Sequence, residues 1–257
     1  MHEQLIFTQL MNRIFGGVAA SLMKALGATS IDRIPAGAHP LFTYDPAAPI
    51  NNFVAMQMLV FGILILFFLL VRARLSVESP GGLQHVIEGT EGFVNHQSEE
   101  IIGHHSERFT PFLVTLGLFI LVGNLLGLVP GFDSPTASPS VPLGCAIVAW
   151  LYYHYHGIRK QGPLKYAAHF VGPMPVLAVL MVPIEIISHL ARMMSLTIRL
   201  YANMYAGDLV TMVFFSLVPI GIPVLFLFLH IGVSFLQAYI FVLLATVYLA
   251  GAVAEEH

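Results

Sequence analysis

Charged and polar side chains interrupt a long apolar stretch, Pro175 to Leu217, in the last third of the sequence. In chain order they are Glu185, His189, Arg192, Arg199, Asn203 and Asp208. Carboxylates and histidines can take up and release protons, whereas an arginine stays protonated at any ordinary pH. Because ionisable groups are costly in a membrane, they usually mark a functional pathway there. These residue types therefore mark the stretch as a candidate functional site that contains both titratable groups and permanent positive charges.

Helical spacing divides these residues between two faces. At about 100° per residue, Arg192 and Asn203 lie within about 40° of Arg199. Glu185 lies at a similar offset, whereas Asp208 lies about 180° away and should face a partner helix. Small residues fall on or beside the arginine face, where they would let another helix approach closely. They are Ser188, Ser195 and Ala202.

A second series of residues at helical spacing, with polar members, follows on the next apolar stretch, Val224 to Val253. At steps of three and four residues its members are His230, Ser234, Gln237, Phe241, Leu244 and Tyr248. His230 can both give and take a proton, although a buried structural histidine would fit the same position. For Arg199 the alternative is a structural ion pair with Glu185 or Asp208. Since Glu185 lies about 21 Å away along the helix, we expect a counter-charge from another chain instead.

The composition of the chain indicates whether these groups lie in water or in a membrane. Of 257 residues, 57% are hydrophobic and 10% are charged, and the mean hydropathy is +0.81. A soluble domain carries about 25% charged residues, so the composition predicts an integral membrane protein. The net charge of -3 gives no indication of a nucleic-acid partner. Cys145 is the single cysteine, which excludes a disulfide framework and favours a packing role.

The hydropathy pattern predicts an all-α protein with five membrane-crossing helices and one cytoplasmic surface helix. A crossing needs about 20 apolar residues. The crossings are expected near residues 53–72, 109–129, 143–158, 176–217 and 224–253. The surface helix is expected near 83–105, with its acidic face in contact with solvent. Basic residues follow the first and third crossings, which puts the N-terminus outside and the C-terminus in the cytoplasm. Residues 1–52 are then an extracytoplasmic segment, and 53–257 form a single polytopic domain.

The last two apolar stretches are too long to stand upright in a bilayer. At about 1.5 Å per residue, the stretch from Pro175 would reach roughly 63 Å, about twice the hydrocarbon thickness. Either strong tilt or a break near Pro183 is required. We expect the two helices to form a tilted antiparallel hairpin. No internal repeat is evident, which weighs against a transporter built from inverted repeats.

Three segments resemble the family of subunit a of rotary F-type ATP synthases. They are SLTIRLYANMYAGDL from Ser195 to Leu209, GNLLGLVPG from Gly123 to Gly131, and the C-terminal LQAYIFVLLATVYLAGAVAEEH. The first is similar to the family signature that surrounds an essential arginine. With the helix layout, the resemblance covers about Asn52 to His257. One departure concerns the loop acid before the third span, a position occupied here by Ser138.

The resemblance implies specific roles for these residues. Arg199 would face the rotating ring of c subunits, with Ser195 and Asn203 on the same surface. Two offset half-channels would meet at the ring: protons would enter past Asp208, His230, Asn203 and Gln237, and leave past Glu185, with Ser188, His189 and Ser195 as further candidates. The implied partners are the c-ring, the subunit b stator stalk, the catalytic head reached through the stalks, and the lipid of a bacterial inner membrane.

Two other functional classes share some of these features. A stand-alone ion channel or secondary transporter would also explain intramembrane charges, but not the signature match. An intramembrane metalloenzyme is disfavoured because the HExxH spacing is absent. A Walker-type phosphate-binding motif is absent as well. We therefore expect a non-catalytic subunit with no cofactor and no metal, which conducts protons for a larger complex.

Overall fold

The computed structural model describes residues 5–25, 29–30, 43–44, 49–76, 81–103, 106–129, 132–163, 165–166, 178–217 and 221–253. Several features of the sequence lie outside the described residues. They are Pro130 and Gly131 of the GNLLGLVPG segment, the start of the long stretch at Pro175, Pro219 of the interhelical turn, residues 104–105 at the end of the predicted surface helix, and the C-terminal Glu255, Glu256 and His257.

The described parts of the chain fold into seven α-helices. Their bounds are α1 Ile6–Ala25, α2 Asn52–Ala73, α3 Gly82–Ile102, α4 Thr110–Leu126, α5 Ser140–Gln161, α6 Ala178–Leu217 and α7 Ile222–Val253. Two 3₁₀ turns, Ser106–Arg108 and Pro135–Ala137, precede α4 and α5. Two-residue strands at Thr29–Ser30 and Thr43–Tyr44 pair in parallel. The predicted helical fold class is confirmed.

Three of these helices are long and apolar enough to cross a membrane: Asn52–Ala73 and the segments Leu180–Leu217 and Val224–Val253. The apolar helix α4, Thr110–Leu126, is shorter. The 22-residue helix α5 ends in a polar, basic turn that contains Arg159 and Lys160. The chain is thus a helical membrane protein, while the number of five crossings remains a prediction that includes α4 and α5.

The two longest helices form an antiparallel hairpin. Asn203 on α6 hydrogen-bonds Gln237 on α7, and Phe214 stacks on Phe226 at 4.5 Å between ring centroids. As residue numbers rise along α6, those of the α7 partners fall. Helix α6 contains 40 residues and continues through Pro183, so the break considered from the sequence is absent. Its length of about 60 Å leaves tilt as the way to fit a bilayer.

Helix α7 lies at the centre of the packing, where it contacts α3, α4, α5 and α6. One apolar cluster joins α4, α5 and α7 through Leu113, Tyr153 and Leu249. A second joins α4, α6 and α7 through Ile120, Leu200 and Phe241. Nearly all of these side chains are fully buried. In a membrane, where lipid tails are as apolar as the side chains, close van der Waals packing of this kind holds helices together. These two clusters fix the positions of the polar residues that lie between the helices.

The N-terminal segment contains a helix that packs on the rest of the protein. The side-chain amide of Asn12 on α1 donates to the carbonyl of Ile50 and accepts from its amide, both at 2.9 Å. Met11, Ile50 and Ala55 form a small apolar cluster between this segment and α2. The described part of residues 1–52 is therefore docked onto α2, a contact that the sequence had not predicted.

Candidate functional site

Arg199 lies near the middle of α6, where it is partly exposed between the exposed residues Ser195 and Asn203. Its guanidinium donates to the hydroxyl of Ser195 at 3.4 Å. In the described part of the chain no carboxylate lies within 4.0 Å of this guanidinium. An adjacent face of α6, about 60–140° round the helix from Arg199, is buried through Leu196, Leu200 and Met204, which pack on neighbouring helices. The buried face therefore orients α6 so that Arg199 stays accessible.

Asn203 and Gln237 tie the two arms of the hairpin together one turn beyond Arg199. The amide of Asn203 donates to Oε1 of Gln237 at 2.8 Å. Gln237 is buried, whereas Asn203 is exposed on the same side as Ser195. A buried amide needs such a partner because an unsatisfied polar group costs about 1–3 kcal/mol. This bond sets the register of α6 against α7 next to the arginine.

Asp208 and His230 form the first group of titratable residues, on the C-terminal side of Arg199. Asp208 faces α7, as helical spacing predicts, and its Oδ1 lies 3.8 Å from Nδ1 of His230. His230 is 6% exposed, and its Nε2 has no hydrogen-bond partner within the described residues. A carboxylate beside an imidazole can exchange a proton with it, directly or through one water.

Gly207 makes room for the imidazole of His230. A Cβ atom added at Gly207 would lie 2.8 Å from Cε1 and 2.9 Å from Nδ1 of that ring. Real Cβ atoms do not approach other atoms so closely, so any side chain here would displace the ring. The role of Gly207 was missed, although the glycine stands directly before Asp208 in the signature segment.

A buried polar network continues from this group into the loop before α5. The hydroxyl of Thr136 donates to Oδ1 of Asn124 at 2.6 Å, and it also contacts the hydroxyl of Ser134. Asp133 in the same loop accepts from Asn52 at 3.2 Å and interacts electrostatically with Asp208. Sequence reasoning looked for a loop acid at Ser138 and found none, whereas Asp133 supplies a carboxylate a few residues earlier.

A second group of titratable residues lies on the N-terminal side of Arg199. Nε2 of His189 lies 3.4 Å from Oε1 of Glu185, one turn away on α6. Nδ1 of the same ring lies 2.9 Å from the hydroxyl of Tyr153 on α5. The guanidinium of Arg192 lies over the ring of Tyr248 on α7. The sequence singled out Glu185 and His189, but not Tyr153 or Tyr248 as members of one group.

His154 and Tyr166 extend this second group. Their Nδ1 and hydroxyl atoms lie 2.7 Å apart, and the ring of His154 lies 4.8 Å from that of His189 between centroids. His154 is half-buried and packs against Trp150. No set of three metal-ligating side chains is found in the portion of the chain that the structure describes.

Comparison with known proteins identifies the family of this chain. The family model described as ATP synthase A chain matches residues 54–250. A protein of Koribacter versatilis named ATP synthase subunit a is 53% identical over 257 residues, which is 100% of both chains. A protein of Solibacter usitatus with the same name is 55% identical, covering 82% of this chain and 91% of its own. A relative from Geotalea uraniireducens, also named ATP synthase subunit a, is 42% identical over 76% of this chain and 86% of its own. With a family match over most of its length and relatives this similar, the chain belongs to the ATP synthase A chain family.

Proposed function

We propose that this chain is the proton-conducting stator subunit of an F-type ATP synthase membrane sector. The main observation in support of this proposal is the partly exposed Arg199, whose guanidinium has no carboxylate partner in the described part of its own chain. A titratable group lies on each side of it along α6. This arrangement supports two separate proton routes that approach one fixed positive charge.

The outer route runs from the loop before α5 to the arginine. It uses Asp133, Asp208 and His230, with the amides of Asn203 and Gln237 nearest to Arg199. The inner route leaves past Glu185, with His189, Ser188 and Ser195 as further polar groups. Since α6 enters from the cytoplasmic side in the proposed topology, Glu185 lies near the cytoplasm and Asp208 near the outside. The N-terminus is then outside and the C-terminus inside.

The partner that completes the site is a carboxylate on a rotating ring of c subunits. An ionised carboxylate is strongly disfavoured in lipid, so it must carry a proton there. While it passes this chain it can ionise beside Arg199, which stays protonated at all relevant pH values. The same fixed charge prevents protons from passing between the two routes without loading the ring. Proton flow then turns the ring, and catalysis takes place in a separate head joined through the subunit b stalk.

The exposed face of α6 fits this partner. Ser195, Ala202 and Ala206 are exposed on it beside Arg199. Small side chains allow two membrane helices to pack closely. The arginine would thus reach a ring carboxylate across a short gap. The chain itself holds no catalytic centre in this proposal, and the complex sits in a bacterial inner membrane.

The decisive experiment is ATP-driven proton pumping by the assembled complex in inverted membrane vesicles. Arg199→Ala should abolish pumping while the complex still assembles, because the ring carboxylate loses its counter-charge. Arg159→Ala removes an exposed arginine at the end of α5 and should pump like the unmodified complex. Full pumping by Arg199→Ala would refute the proposal. Purification of a proton-conducting chain that carries neither c nor b subunits would favour a stand-alone channel.

A further inference from the structure

His189 connects two helices through both nitrogens of its ring. Nδ1 lies 2.9 Å from the hydroxyl of Tyr153 on α5, and Nε2 lies 3.4 Å from Oε1 of Glu185 on α6. The two contacts are on opposite edges of the imidazole. Tyr153 is 4% exposed, whereas the side chain of Glu185 is 30% exposed. The imidazole therefore stands between a buried hydroxyl and a carboxylate that reaches the surface.

This arrangement suits a neutral imidazole that passes protons. With its proton on Nε2, the ring donates toward Glu185 and accepts the hydroxyl proton of Tyr153 on Nδ1. Both nitrogens are then satisfied without a net charge. A phenol hydroxyl can also donate one proton while it accepts another, so Tyr153 can extend the chain into the buried interior.

The charged and titratable groups around His189 favour passing a proton on to Glu185 over keeping His189 protonated. Arg192 follows His189 by three residues, and its guanidinium lies over Tyr248 of α7. The ring of His154 on α5 packs against the ring of His189, and the hydroxyl of Tyr166 hydrogen-bonds Nδ1 of His154. A lasting second positive charge beside Arg192 is unfavourable, whereas the Glu185 carboxylate attracts the proton outward. These charges therefore favour proton movement from His189 toward Glu185.

We propose that Tyr153, His189 and Glu185 form a proton relay in the inner route, in which α5 supplies Tyr153, a hydrogen bond joins Tyr153 to His189, and a 3.4 Å contact joins His189 to Glu185. A proton arriving at the hydroxyl oxygen of Tyr153 displaces the hydroxyl proton onto Nδ1 of His189. The Nε2 proton of His189 moves to the Glu185 carboxylate, which releases it to water. Rotation of the imidazole then brings its protonated nitrogen back to the side of Glu185 and restores the starting arrangement. One proton is taken in and one is released.

The relay rests on the proposed function and assigns one segment of its inner route. Along α6, His189 lies about 15 Å and Glu185 about 21 Å from Arg199. The relay therefore covers the part of the route farthest from the arginine. Its distinguishing feature is the contribution of α5, a helix that carries none of the site residues expected from the sequence.

The test is passive proton conductance of the membrane sector in inverted vesicles after the catalytic head has been removed. His189→Gln preserves hydrogen bonding but cannot relay a proton, so conductance should fall by about tenfold, less than the 10²–10⁴ of a positioned acid–base group because water provides a bypass. Tyr153→Phe keeps the ring and removes the hydroxyl, and it should give a loss of similar size. His96→Gln is the matched control, since His96 pairs with Glu100 at the same spacing on the exposed face of α3.

Chemical rescue separates a relay from a merely structural contact. Imidazole added to His189→Ala vesicles should raise conductance in proportion to its concentration, and it should not affect the unmodified complex. Conductance of His189→Gln within about twofold of the control, or a loss in His189→Ala that imidazole does not reverse, would overturn the relay. Arg199→Ala is measured in parallel by ATP-driven pumping. If Arg199→Ala pumps, the proposed function fails; if it is inactive while His189→Gln conducts normally, the relay alone fails.

Discussion

Replacement of Gly207 by alanine tests whether the close packing of α6 on His230 matters for proton transfer. The added Cβ would lie 2.8 Å from Cε1 of the imidazole. Carbon atoms in good contact are about 3.5–4.0 Å apart, so the ring must move by roughly 1 Å. The separation of 3.8 Å between Asp208 and His230 is already long, and a shift of this size alters it substantially. Misplacement by about 1 Å can cost up to 10²-fold in rate, and we expect a loss between about tenfold and that limit.

The assay is the initial rate of ATP-driven proton pumping by the assembled complex, normalised to the amount of this chain in the membrane. Gly62→Ala on α2 is the matched control, because a Cβ at Gly62 meets nothing within 4 Å. Alanine there should leave pumping unchanged, since alanine is also the better helix former. Pumping by Gly207→Ala at the rate of the control would show that the ring adapts freely, and the steric reasoning would be wrong.

Two further predictions concern the proposed outer route and the loop before α5. Asp208→Asn and His230→Ala should each slow ATP synthesis, because each removes a proton-exchanging group from the outer route; unchanged synthesis between about pH 6 and 9 in both variants would remove the pair from that route. Thr136→Val leaves the amide oxygen of buried Asn124 without its 2.6 Å donor and should destabilise the protein by about 1–3 kcal/mol, measured as a lower thermal midpoint in detergent. Thr115→Val, an exposed threonine that bonds its own helix, is the control and should leave the midpoint unchanged.

The helices could be predicted because the bilayer imposes a simple length rule on apolar segments. The expected crossings near 53–72 and 224–253 correspond closely to α2 and α7. By contrast, α1 could not be placed, since the pairing of Asn12 with the backbone of Ile50 depends on chain folding rather than on composition. The continuity of α6 through Pro183 was likewise open, because a proline can either kink or end a helix.

For the candidate site, the sequence could predict which face of its own helix a residue lies on, but not its contacts with other helices. The 180° offset of Asp208 from Arg199 correctly placed it toward α7, where His230 lies. The contact of Tyr153 with His189 joins residues 36 apart in sequence, on helices whose crossing is set by apolar packing. No pattern within α5 alone reports such a contact. Gly207 was missed for the same reason, since its neighbour belongs to another helix.

The central position of α7 has a consequence for biosynthesis. This helix follows the other six in the chain, so it leaves the ribosome after them, yet it supplies part of both apolar clusters. Until it inserts, Asn203 and Asp208 of α6 lack Gln237 and His230, their contacts on α7. Unpaired polar groups in lipid are unfavourable, so the nascent protein stays incompletely packed until the end of translation. The central packing of the helices is therefore completed only when α7 joins it.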